Sequence, residues 1–469
     1  MLTKVFEGNI NKCAQYWPEK VNETHKLDDG IIIRTKTEEV HCWYTKRQLL
    51  ITKDDDSMSM AITHYQLTVW PDHGVPVDKI VMISFIDNIR LTHPPKGPPL
   101  VVHCSAGVGR TGTFIVIDTM LQRMKQENTL NIYDFLLQIR HQRITLVQTK
   151  EQYIYIHKSL ADHIQCGETS FAIEKAQYRI KELRKKNEDE ECEFQKEFEL
   201  LKELSDTTST ISCSIAMDNQ ERNRFDYNLP YNHTRVILRD TENDYINASW
   251  VEGYKTGNWF IVTQIPLQNT QTDFWTMIHQ QNCSVIVLLH PVGTDEIPQF
   301  WPPQMGQAKK YQDLTVEHSL EKEENDYQII TLELKFKNES AHNVTLYYYK
   351  KWNINTNNKP YLKPLFGILA KNQLENGNRP IVVACNDGVG CSGTFLTAYS
   401  QIERAKTEGV SDIFQFIRKA RSQRPGLVDC LERYIYCHEL LCEYAEGMLQ
   451  HEETNLQQTT QIYYSDSLE

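Results

Sequence analysis

Residues 101–113 read VVHCSAGVGRTGT, and residues 382–394 read VVACNDGVGCSGT. The second stretch begins 281 residues after the first, and other matches keep nearly that offset. NIYDFLLQIRHQR (131–143) resembles SDIFQFIRKARSQRPG (411–426), QYIYIHKSL (152–160) resembles RYIYCHELL (433–441), and Trp70 pairs with Trp352. Solenoid repeats run to roughly 20–50 residues, so this period marks a duplicated domain of α/β size.

The two copies are unequal. The second extends from about Phe171 to Met448, whereas Met1-Leu2-Thr3 aligns with Leu288-Leu289-His290. Nothing in the first copy corresponds to roughly 171–287, so it reads as N-terminally truncated, as in a fragment or an incomplete gene model. The expected division is a truncated first domain over 1–166, a second domain over 167–450 and a polar tail over 451–469. The tail is rich in Gln and Thr and is expected to be disordered. In the charged stretch 181–204, Phe194, Phe198 and Leu201 fall at helical spacing and predict an amphipathic helix.

Composition excludes some functions. A net charge of −12 argues against a general nucleic-acid binder, which needs a basic face. It does not exclude a small anionic substrate, because a local pocket is positive even on an acidic protein. No apolar run approaches the ~20 residues of a membrane span, MLTKVFEGN lacks a signal-peptide apolar region, and the chain reads as soluble. The 12 cysteines show no CxxC pair and suggest reduced thiols.

The repeated loop carries chemistry. Leu100-Val101-Val102 predicts a short buried strand, and Thr113 to Gln126 a helix with Phe114, Ile117, Leu121 and Met124 on one face. Cys104 to Arg110 therefore bridges a strand end and a helix start, where backbone N–H groups and the helix dipole favour an anion. Cys-x5-Arg in a curled loop puts one thiol beneath that anion and one planar guanidinium beside it. The same N–H groups lower the thiol pKa and make a nucleophile. An isolated cysteine in a glycine turn is more often structural, but other parts of such a machine are present. In TVWPDHGVP (68–76), Asp72 is a candidate general acid for a poor leaving group, although a lone aspartate there is ordinarily a turn residue. In VQTKEQY (147–153), Gln148 and Gln152 are four apart and share a face if helical; an amide holds a water without taking its proton.

The stretches KCAQYWP, WPDHGVP, VHCSAGVGRTG and QTKEQY, in that order, resemble the classical protein-tyrosine phosphatases, and the duplication resembles the tandem cytoplasmic domains of receptor-type members. SCSIAM (212–217) and FIVTQIPLQNTQTDFW (260–275) look most like the kappa/mu group. The resemblance implies an α/β fold in both copies, each a twisted mixed sheet flanked by helices with the loop at a strand's C-terminal end. It implies that Cys104 attacks phosphorus and becomes a phosphocysteine. Arg110 and the amides of Ser105, Ala106, Gly107, Val108 and Gly109 would hold the phosphoryl oxygens. His103 would help set the thiolate, and the Thr111 hydroxyl would stabilise it as a leaving group. Asp72 would protonate the phenol and then take a proton from water held by Gln148 and Gln152. Glu7 and Lys12 in FEGNINKC match a loop that steadies the arginine. Neither metal nor cofactor is implied. The implied partners are phosphotyrosine-containing proteins, and the implied place is the cytoplasmic side of the plasma membrane, anchored through a segment outside this chain.

The second loop departs from this pattern. Cys391 replaces the arginine, Asp387 adds a negative charge, Trp352-Asn353-Ile354 lacks the acid, and Asp429 and Arg433 replace the glutamines. The second copy is expected to keep its fold for packing or partner binding rather than turnover. The rival is a redox role for Cys385 or Cys391. For the whole chain, the rival class is a noncatalytic phosphotyrosine-binding scaffold. The aromatic wall that sets pocket depth in this family falls at Phe225 of the second copy and has no counterpart in the first.

Overall fold

The computed structural model describes the chain except residues 29, 54–58, 72–73, 77–78, 94–96, 188–189, 207–210, 255–258, 325, 351, 353–361, 378 and 466–469. It divides into two compact units, Met1–Glu168 and Thr169–Glu469.

The second unit is built on a nine-stranded sheet. Its centre is parallel: His342–Tyr348, Val285–Leu288, Ile381–Cys385 and Trp259–Gln264 lie side by side in that order. These strands are short apolar runs, as strands covered on both faces must be. Antiparallel strands continue the sheet, with Gln328–Phe336, Leu314–Glu323 and Ala308–Tyr311 on one flank and Tyr245–Glu252 and Arg235–Ile237 on the other. Phe274, Trp275, Ile286, Leu332, Val382 and Ala384 meet in one core. The amphipathic helix forms over Glu193–Asp206 and buries Phe194, Phe198 and Leu201.

In the first unit, Thr24–Lys26, Ile31–Val40, Tyr44–Lys53 and Met60–Leu67 form a four-stranded antiparallel sheet. The last three match Leu314–Glu323, Gln328–Phe336 and His342–Tyr348, down to a bulge in the same place, Thr35/Thr37 in one copy and His318/Leu320 in the other. Helices Ile80–Thr92, Gly109–Glu127, Ile132–Gln142 and Lys150–Cys166 complete the unit. Trp70, Phe85, Phe114, Ile117, Leu136 and Ile156 lie in its core.

Two expectations are corrected. Residues 100–102 carry no strand among the described elements, and Val101 is 80 % exposed where Val382 is fully buried. Ile381–Cys385 has a strand on each flank. The first-copy segment is instead held by Leu2 N donating to His103 O at 2.8 Å, the counterpart of Leu289 N to Ala384 O at 2.9 Å. The tail also differs: the last helix runs Leu431–Ser465, continuing through the polar stretch. Glu, Gln and Leu are good helix formers, and no proline interrupts them.

Behind each loop the scaffold is the same. Val108 O accepts from Gly112 N at 2.9 Å and Val147 N at 3.2 Å, and Val389 O accepts from Gly393 N at 2.9 Å and Val428 N at 3.3 Å. Val147 and Val428 both adopt φ near +58°, at 58° and 57°, which a β-branched residue rarely does. Arg140 pins this turn by donating to Leu146 O and Val147 O, and Arg421 does so to Leu427 O and Val428 O. A Cβ at Gly112 would lie 2.4 Å from Val147 N, a backbone atom that cannot swing away. Gly112→Ala is therefore expected to destabilise the first unit by about 1–3 kcal/mol, read as a lower thermal midpoint. An unchanged midpoint would contradict this packing.

Candidate active site

The helix Gly109–Glu127 begins earlier than its apolar pattern suggests, so Arg110 and Thr111 lie in its first turn. Gly107, at φ +70°, turns the loop in a conformation that side-chain-bearing residues rarely adopt. Arg143 closes it from outside, donating from Nε to Gly107 O at 2.9 Å and from Nη2 to Ala106 O at 3.3 Å. These carbonyls are thereby turned outward, and the N–H groups turn inward.

Cys104 is buried within this curl, and Thr111 Oγ1 donates to its sulfur at 3.2 Å. Burial pushes the thiol up, but the Thr111 hydroxyl and the amides of Thr111, Gly107 and Val108 more than offset it. Cys104 consequently lies below the ordinary thiol value of 9.0. The guanidinium is not what faces this sulfur. Arg110 instead forms a two-pronged pair with Glu7, with Nη1 on Oε1 and Nη2 on Oε2 at 2.9 Å, and also donates from Nη2 to Pro71 O at 3.1 Å. Glu7 sits on the hairpin Phe6–Glu7/Ile10–Asn11 and takes a further bond from Thr3 Oγ1 at 2.9 Å. Burial disfavours its charge, yet the bonds from Arg110 and Thr3 hold the carboxyl below its ordinary 4.5. One guanidinium thus ties together the hairpin, the WPD stretch and the loop.

His103 does not reach the sulfur. Its Nδ1 lies 3.1 Å from Cys104 O, which only accepts, so Nδ1 carries the proton. Nε2 is then the acceptor for Tyr16 Oη at 2.7 Å, and the Tyr16 oxygen accepts from His64 Nε2 at 3.1 Å. Burial lowers both imidazoles, His64 to about 3, so the chain His64–Tyr16–His103 is neutral. It fixes the loop's entry through the backbone. Tyr16 lies in the KCAQYWP stretch, but nothing in the sequence connects His64 to it.

Gln148 and Gln152 do not share a helical face, because the helix starts at Lys150 behind a Thr149 cap. Gln152 is the partner of that capping box, and its Oε1 accepts from Gln148 N at 2.9 Å. Its amide nitrogen rests on the loop: a Cβ at Gly109 would come within 2.8 Å of Gln152 Nε2. Gln152 thus touches the loop, while the Gln148 side chain is exposed beside it. Ser105 is exposed at the loop's mouth. Asp72 lies outside the described residues, as do Asn353 and Ile354. Among the described residues, no cluster of three His, Cys, Asp or Glu side chains is placed to hold a metal.

The second loop keeps the curl and fills it with its own carboxylate. Asp387 Oδ1 accepts from Val389 N at 3.0 Å, Gly390 N at 3.1 Å and Cys385 Sγ at 3.1 Å. Arg433, at the position of Gln152, lies so close that a Cβ at Gly390 would meet its Nη1 at 2.6 Å. Phe225 stacks on Tyr227 with ring centroids 5.1 Å apart.

A family model described as protein-tyrosine phosphatase matches residues 1–162 and again residues 219–443. The chain belongs to the protein-tyrosine phosphatase family. It carries the tandem arrangement of receptor-type phosphatases, and its similarity to them runs through both copies. It is 33 % identical to receptor-type tyrosine-protein phosphatase alpha of Homo sapiens over 465 residues, 95 % of this chain and 57 % of that protein. It is 33 % identical to receptor-type tyrosine-protein phosphatase S of Gallus gallus, covering 95 % of this chain and 30 % of that one. It is 34 % identical to receptor-type tyrosine-protein phosphatase F of Mus musculus, covering 95 % and 24 %. The chain therefore spans between a quarter and somewhat over half of these phosphatases. The narrower likeness to the kappa/mu group rests on residues 212–217 and 260–275 alone.

Proposed function

We propose that the first unit hydrolyses phosphotyrosine in proteins, with Cys104 as the nucleophile and a phosphocysteine as the intermediate. The observation that carries this reading is the sulfur of Cys104 lying under the Thr111 hydroxyl and the amides of Gly107, Val108 and Thr111, with its pKa lowered. A thiolate so held attacks phosphorus, and the same bonds stabilise it when it leaves in the second step. The inward amides and Arg110 bind the equatorial oxygens. Asp72 donates to the phenol oxygen, and Gln148 and Gln152 place the water. His103 and Thr111 serve as positioning groups, one through the backbone and one on the sulfur.

The second unit acts as a pseudophosphatase that packs or recruits partners. What favours this is Asp387, whose carboxylate takes the N–H bonds that a phosphoryl group would need. The protein works on the cytoplasmic side of the plasma membrane as part of a single-pass receptor. Among the described residues, no helix is long and apolar enough to cross a membrane. Its partners are phosphotyrosine-containing proteins, with no nucleic acid among them.

The test is chemical trapping. The chain is mixed with a phosphorus-labelled slow aryl phosphate, quenched in acid and digested. Label on the Cys104 peptide is expected. Turnover without label on that peptide would defeat the phosphocysteine route, and absence of turnover would favour a phosphotyrosine-binding scaffold.

A further inference from the structure

The second loop retains two sulfurs that the function above leaves unused. Cys385 and Cys391 are both thiols, both are buried, and their side chains hydrogen-bond to one another. They occupy the positions of the nucleophile and the arginine of the first copy, but their surroundings are exchanged. Cys385 faces the Asp387 carboxylate, and its single S–H is shared between Asp387 Oδ1, at 3.1 Å, and the Cys391 sulfur. Cys391 faces a cation, with Arg433 Nη2 at 3.9 Å from its sulfur, while Arg433 Nη1 pairs with Asp429. Burial, reinforced by Cys391 and Asp387, holds the Cys385 thiol well above the ordinary range. The bond from Cys385 lowers Cys391 against the effect of burial, and Arg433 assists. The thiol whose pKa is lowered lies at the seventh loop position rather than the first, and the positive charge lies at residue 433 rather than in the loop. A thiol that burial keeps protonated, beside one whose ionisation a neighbouring cation favours, is the arrangement of a redox pair, since the thiolate is the oxidisable form.

We propose that Cys385 and Cys391 form a reversible disulfide on exposure to hydrogen peroxide, with Cys391 as the attacking sulfur and Cys385 as the resolving one. The Cys391 thiolate attacks one peroxide oxygen and the O–O bond breaks. The second oxygen leaves as hydroxide and is protonated by solvent, leaving a sulfenic acid on Cys391. The Cys385 sulfur then attacks the Cys391 sulfur, the S–O bond breaks, and the departing hydroxide takes the Cys385 proton as water. The two sulfurs together lose two electrons, and one peroxide becomes two waters. A thiol reductant reverses the bond by exchange.

No Lys or Arg lies between Cys385 and Cys391, so both fall on one tryptic peptide. The full chain is treated with graded peroxide, alkylated, digested and weighed, and the peptide is expected to lose two hydrogens and regain them with dithiothreitol. In Cys385→Ser, a dimedone adduct is expected on Cys391; in Cys391→Ser, Cys385 is expected to stay unmodified. Arg433→Gln is expected to slow the oxidation about tenfold, since it removes the cation beside the Cys391 sulfur that favours the thiolate. Both thiols remaining open to alkylation after Cys104 is oxidised would overturn the proposal. So would a cross-link from Cys391 to Cys430, whose sulfur lies 3.8 Å from Arg433 Nη1 and whose peptide is a different one. Dimedone on Cys385 alone would reverse the assigned roles. The wild-type measurement decides the bond even where a variant fails to fold.

Discussion

Cys104→Ser is expected to lower kcat on a phosphotyrosyl peptide by at least about 10⁴-fold while leaving peptide binding in place. A serine hydroxyl is not ionised by the field that acts on this thiol. Cys104 loses its proton more readily because the Thr111 hydroxyl and the amides of Thr111, Gly107 and Val108 outweigh burial. The same donors would meet a serine oxygen as a neutral acceptor and leave it a poor nucleophile. In the proposed route the binding contacts belong to other atoms, namely the inward amides and Arg110, so the variant should hold substrate without turning it over. Equilibrium binding of the peptide beside steady-state kinetics separates the two effects. The wild-type profile should follow the same physics. Thiolate-dependent activity should persist below pH 9.0, the ordinary thiol value, because the folded pKa is lowered. A serine variant retaining a tenth of the rate would mean that the sulfur is not the nucleophile.

The geometry of this loop was legible in sequence because it is local. A cysteine, two glycines, an arginine and a threonine within eight residues fix a curl, a thiol and its donors, and the helix beginning at Gly109 supplies the rest. The duplication was legible for the same reason, since side chains such as Arg140 and Arg421 keep their offset and repeat the same backbone contacts. What escaped depends on distant partners. His64 reaches His103 only through Tyr16, across 48 and then 87 residues of sequence. The role of Gln152 as a cap partner depended on where its helix starts, and four-residue spacing misplaced Gln148 on a face it does not share. The strand expected at 100–102 failed because a strand forms only where a neighbouring strand pairs with it, and among the described residues none pairs with 100–102. Asp387 was readable as an added charge, but its occupation of the loop's N–H groups is a matter of geometry.

Arg110→Lys is expected to reduce kcat/KM by about 10²–10³-fold or more, although the charge is kept. In this chain the two terminal nitrogens of the guanidinium serve two partners at once. Nη1 and Nη2 bind the two oxygens of Glu7, and Nη2 also reaches Pro71 O at 3.1 Å, next to Asp72. An ammonium on a flexible stem cannot make a planar fork and a bond to the WPD stretch together, so the hairpin, that stretch and the loop lose their common tie. The loss should therefore exceed that of a single hydrogen-bond donor, and it should fall on kcat as well as KM. A second readout isolates the Glu7 partnership. Glu7 has a folded pKa below its ordinary 4.5, so its contribution to stability is present above 4.5 and is lost as pH falls through the folded value. With lysine in place of arginine the carboxyl is less depressed, and less stability remains to be lost on that limb. The thermal midpoint of Arg110→Lys should accordingly depend more weakly on pH below 4.5 than that of the wild type. Parallel acid limbs in the two proteins would show that Glu7 does not draw its ionisation from Arg110, and the three-way tie would fall with it.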